Sequence, residues 1–66
     1  MFKKDELNRR ILRSNIERES AKGRGVRPHE VERTTDIAMS LFKGARRGNG
    51  QAAKEAIAIV RDGLAE

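Results

Sequence analysis

One imidazole, ten carboxylates and no thiol are all that this chain offers to catalysis. The imidazole is His29. It follows Pro28 and precedes Glu30, which places it in the first turn of a helix. No Ser, Cys or Asp stands at a spacing that would pair a nucleophile with this base. Glu32, three residues on, could share a cation with His29, but one His and one Glu are too few for a zinc site. The pairs Glu17/Glu19 and Glu30/Glu32 are spaced by two, which turns their carboxylates to different sides of a helix. The run from Gly44 to Gln51 lacks the glycine spacing and the terminal Lys-Ser/Thr of a Walker loop, and no strand precedes it. Amides at the start of the following helix could still cradle one phosphate, although Gly and Asn are ordinary turn residues. A chain this small does not enclose the usual pocket of about 300 Å³ or more. No catalysis, metal, cofactor or small-molecule substrate is therefore expected.

The chemistry that the sequence does support is ionic. Its 66 residues hold 15 Lys and Arg against 10 Asp and Glu, for a net charge of +5. Residues 1–27 carry nine bases and four acids, the whole excess, whereas residues 28–66 hold six of each sign. Such asymmetry points to an anionic partner, either nucleic acid or an acidic protein surface. Candidate phosphate contacts are Arg9, Arg10 and Arg13, then Lys22, Arg24 and Arg27 in the acid-free run Lys-Gly-Arg-Gly-Val-Arg. Lys43, Arg46 and Arg47 form a second acid-free cluster. No aromatic stands among these bases, so a platform for stacking unpaired bases is missing. Glu6, Arg10, Arg13 and Glu17 follow one another at spacings of four, three and four, and such a mixed face ordinarily pairs with itself.

The elements that must position these charges are helices. Two glycine clusters, Gly23-Arg24-Gly25 ahead of Pro28 and Gly48-Asn49-Gly50, cut the chain into three segments with apolar spacings of three and four. The expected helices span about 4–22, 28–47 and 51–65, and no segment alternates like a half-buried strand. The second segment carries Val31, Thr35, Ala38, Phe42 and Ala45 on one stripe, widened by Ile37 and Leu41, so it should meet two neighbours. The third places Ala53, Ala56, Ile57, Val60 and Leu64 together, with Asn49 available as N-cap. The predicted fold is all-α, one domain over 1–66: a small three-helix bundle, or a hairpin of the last two helices with the first laid across it. In an up-and-down bundle the two basic clusters lie at opposite ends, with Lys3 and Lys4 beside the second. Phe42, one of two Phe residues, is expected at the centre of the core.

Helix one is the odd member. Leu7 and Ile11 lie on one edge, Leu12 and Ile16 on another, and Asn8 and Asn15 between them. A core face does not usually centre on two amides. Either the bundle covers one edge only, or a second chain docks on Leu7, Asn8, Ile11, Leu12, Asn15 and Ile16, which would allow a homodimer. Two functions follow. The first is a small basic protein that grips the phosphate backbone of nucleic acid; the second is a helical adaptor or inhibitor, of the size phages and plasmids encode, acting through helix one. No apolar run reaches the ~20 residues of a membrane span and no apolar stretch follows the N-terminal Lys3 and Lys4, so a cytoplasmic protein is expected.

Overall fold

The computed structural model describes residues 3–63, with Lys3 by its backbone alone. Three α-helices follow in order: α1 (Lys3–Ala21), α2 (Val31–Gly44) and α3 (Asn49–Arg61). A short 3-10 turn, Pro28–Glu30, leads into α2. Each helix packs against the other two, so the fold is a small all-α bundle. Ion pairs fix the directions: Asp5 meets Lys43, Arg9 meets Asp36 and Arg13 meets Glu32, so α1 and α2 are antiparallel. The chain then reverses again, and α3 runs beside α1 in the same direction.

The ends of the helices explain where the sequence-based boundaries hold and where they move. Gly23 adopts φ 77°, and the Gly23 and Arg24 amides donate to the carbonyls of Ser20 and Glu19 at 3.0 and 2.9 Å. This is the Schellman arrangement, which glycine favours because a Cβ is costly in the left-handed region. Helix α2 starts later than expected, because Pro28–Glu30 forms a 3-10 turn first, and stops at Gly44 instead of continuing to Arg47. Its left-handed stop is taken by Arg46, at φ 56°, with the Arg47 amide turned back to Leu41 O at 3.3 Å. Asn49 is not the cap of α3. Gly48 fills that position without any side-chain cap, and the Asn49 Oδ1 is buried with no partner among the described residues. Helix α3 starts before the expected Gln51 and ends at Arg61 instead of near residue 65, with Gly63 at φ 73° beyond it, while Leu64 and Phe2 lie outside the described residues.

The core is assembled from Leu12 and Ile16 of α1, Val26 of the loop, Val31 and Ala38 of α2, and Ala52, Ala53, Ala56, Ile57 and Val60 of α3. Four alanines among these ten residues let the backbones approach closely, at little cost in side-chain entropy. Thr34 and Thr35 are also wholly buried, each hydroxyl donating at 2.7 Å to the carbonyl four residues back, Glu30 O and Val31 O. Thr34 joins the buried stripe of α2, and Ile37 and Leu41 widen it as partly buried residues packed against the core. Phe42 is half-buried, packed against the edge of the core and not at its centre. Among the described residues no helix is long and apolar enough to cross a membrane.

Candidate nucleic-acid interface

Most of the bases fall into two populations. On the α1–α2 side Arg9 donates to Asp36 Oδ1 and to Glu32 Oε1, both at 2.6 Å, and Arg13 reaches Glu32 Oε2 at 3.0 Å and Glu17 at 3.5 Å. The hydrogen bond donated to Asp36 and then that donated to Glu32 raise the Arg9 pKa above its ordinary value, because both stabilise the charged guanidinium. At one end of the bundle Lys43 pairs with Asp5 at 3.0 Å, and Arg47 with Glu55 at 2.9 Å. Four of the nine candidate phosphate contacts, Arg9, Arg13, Lys43 and Arg47, are thus compensated by acids. The expected Glu6–Arg10 pair is not formed; Arg13–Glu17 is the member of that row that closes.

The second population lies around the last turns of α1, the loop 22–27 and α3. Asn15, Arg18 and Glu19 of α1 border an open groove with Gly50, Ala53 and Lys54 of α3. It continues past Glu19 and Arg24 to Lys54, Ile57, Ala58 and Arg61. Arg27 follows beside Gly25, Glu30, Val60 and Arg61. Arg18, Arg24, Arg27 and Lys54 are exposed and have no acidic partner among the described residues, and the Arg61 guanidinium donates to Arg24 O at 3.1 Å. Lys22 stands 3.9 Å from Glu19, the loosest of the ion pairs. Six bases therefore share this face with three acids, Glu19, Glu30 and Asp62.

The loop that carries Arg24 and Arg27 is held firmly. The Val26 amide donates to Ser20 Oγ at 3.1 Å while the Val26 side chain enters the core. A Cβ on Gly25 would stand 2.5 and 2.6 Å from the backbone N and Cα of Ser20, so the chain approaches α1 more closely there than any larger residue permits. Two basic arms are consequently fixed beside the end of α3.

The bundle thus brings Lys22, Arg24 and Arg27 to one face and leaves Arg10 and Arg46 elsewhere, exposed and without acidic partners among the described residues. Arg18, Lys54 and Arg61 belong to the face and were not among the sequence candidates. Lys54 and Arg61 are seven residues apart, two helical turns, so a helical wheel of α3 alone would have aligned them. On the apolar side of α1, Leu12 and Ile16 are wholly buried, Asn8 and Asn15 half-buried, and Leu7 is 56% and Ile11 36% exposed. The first turns of α3 lie beside Asn15 and Arg18, so they fall short of Leu7 and Ile11. His29 is exposed, and no group of three metal-ligating side chains occurs among the described residues. Neither a protein-family model, nor a curated protein, nor a solved structure matches this chain.

Proposed function

We propose that this protein is a small, non-enzymatic nucleic-acid-binding protein that holds the phosphate backbone. The observation that carries the reading is the segregation of its charges. Bases facing acids are concentrated between α1 and α2 and at one end of the bundle, whereas Arg18, Arg24, Arg27 and Lys54 are left uncompensated on a single face. Each base that neutralises a phosphate releases condensed counterions, so binding of this kind weakens steeply with salt. Arg24→Ala with Arg27→Ala should lower the slope of log affinity against log salt by about two, one unit per lost contact. Fluorescence anisotropy with labelled nucleic acid across a salt series measures this. No salt-dependent binding at low ionic strength would rule the reading out.

The exposure of Leu7 and Ile11 favours a second reading, a helical interaction module that acts in the cell on another protein. Its contacts reduce to Leu7 and Ile11 with the margins of Asn8 and Asn15, because Leu12 and Ile16 are committed to the core. A partner that survives nuclease treatment in a pull-down, and is lost with Leu7→Ala, would put this reading first.

A further inference from the structure

Resting on the nucleic-acid reading above, we infer that the form bound is a duplex, held along its backbone and without base readout. The bases that border the groove stand in two tiers. Arg18 and Lys54 border its first part, and Arg24 and Arg61 its second. Lys54 and Arg61 are seven residues apart on α3, which separates the tiers by about 10 Å along the helix axis. That distance is about three base pairs of rise in B-DNA at 3.4 Å per strand step. The backbone under each tier is anchored: three of the four bases project from helices or from a helix end, and Arg24 sits in the loop held by the Ser20–Val26 hydrogen bond and by Gly25.

Bases spaced along an anchored backbone suit a ligand whose phosphates stand at set positions. A duplex presents its phosphates at set positions, whereas a single strand must be ordered on the protein, and proteins that do so stack its bases on aromatic side chains. No aromatic side chain stands on this face among the described residues. Its floor is Gly50, Ala53, Ile57 and Ala58, and the described aromatic residue, Phe42, packs at the edge of the core on α2. Those four residues carry no side-chain donor or acceptor, so they have nothing to present to a base edge. The face therefore grips without reading.

Anisotropy titrations of the full chain against two unrelated 20-base-pair DNA duplexes, a 20-base-pair RNA duplex and a 20-nucleotide single strand test this at one fixed low salt. A duplex of either kind should bind at least about tenfold more tightly than the single strand, because the strand lacks its stacking contribution. The two DNA sequences should agree within about threefold, as expected when phosphates supply the affinity. Arg18→Ala with Lys54→Ala, two exposed positions outside the core, should lower the salt slope of duplex binding by about two with an unchanged circular-dichroism spectrum. Equal or tighter binding of the single strand overturns the duplex assignment and leaves the nucleic-acid reading standing. So does a preference beyond about tenfold between the two DNA sequences, which phosphate contacts cannot produce. Failure to bind any of the four overturns both.

Discussion

Arg9 and Asp36 are 27 residues apart in the chain, yet their side chains meet at 2.6 Å, and the same guanidinium reaches Glu32 one turn earlier on α2. This fork ties α1 to α2 on the outside of the bundle. Exposed pairs of this kind are each worth about 0.2–1 kcal/mol. Arg9→Ala should therefore destabilise the fold by roughly 1 kcal/mol, about 4–8 °C in melting temperature for a domain of this size. The Arg9 pKa is raised in the folded state, so the pair's contribution is complete below the unfolded value and is lost only as pH climbs through the folded one, far into alkali. Base is no probe here, but salt is. In 1 M NaCl, with a screening length of about 3 Å, the gap between wild type and variant should narrow in thermal melts. An undiminished gap would mean that Arg9 acts through packing of its stem.

Glycine has opposite meanings at two positions. At Gly25 an added methyl would drive into the Ser20 backbone, and neither partner can yield without moving the loop or the end of α1. Gly25→Ala should cost about 1–3 kcal/mol, the usual range for overpacking. At Gly44, the last residue of α2, an added Cβ meets nothing within 4 Å. Gly44→Ala should be neutral or stabilising by up to about 1 kcal/mol, through lost freedom of the unfolded chain. Chemical denaturation of the two variants side by side reads both signs, and equal effects would refute the account of Gly25.

Phe42 and Leu12 exchange the weights that size alone would assign them. Leu12 is wholly buried where all three helices meet, whereas Phe42 keeps part of its ring in solvent at the edge. Leu12→Ala should cost about 2–5 kcal/mol, enough to unfold a domain whose core supplies only ~3–5 kcal/mol. Phe42→Ala should fall below the ~3–5 kcal/mol of a fully buried Phe and leave a folded protein. Circular-dichroism melts decide it, and a folded Leu12→Ala beside an unfolded Phe42→Ala would reverse the assignment.

Helix number, order and the first glycine stop were legible because they depend on local chemistry: apolar spacing, Gly23 in a left-handed turn and Pro28 at a helix start. The burial of Phe42 was not, since a stripe on a wheel does not say how far along it the neighbouring helix extends. Charge was legible in amount and misleading in place. The excess of bases in residues 1–27 suggested that Arg9, Arg10 and Arg13 face a partner, but Glu32 and Asp36 come from another helix and cover two of them. Conversely, Lys54 and Arg61 sit in a stretch that balances to zero, and only the parallel packing of α3 on α1 sets them beside Arg18 and Arg24. Linear charge counts see neither event.

The loop between α2 and α3 places its special backbone angle on the wrong residue for stability. Gly44 and Gly48 bracket it, yet the left-handed position belongs to Arg46, at φ 56°. A non-glycine residue there costs about 1 kcal/mol relative to one without a Cβ. Arg46 is also exposed, has no acidic partner among the described residues and lies across the bundle from the Arg24 loop. Arg46→Gly should thus stabilise the protein by about 0.5–1 kcal/mol, raising the melting temperature by a few degrees. If the phosphate contacts lie on the α1–α3 face, the same variant should leave the salt slope of nucleic-acid binding unchanged, despite losing a full positive charge. A slope lowered by about one would instead place Arg46 on the ligand and extend the interface to both ends of the bundle. The strained angle would then be explained by contact with phosphate, and a variant that is more stable but binds less well would be the signature of that exchange.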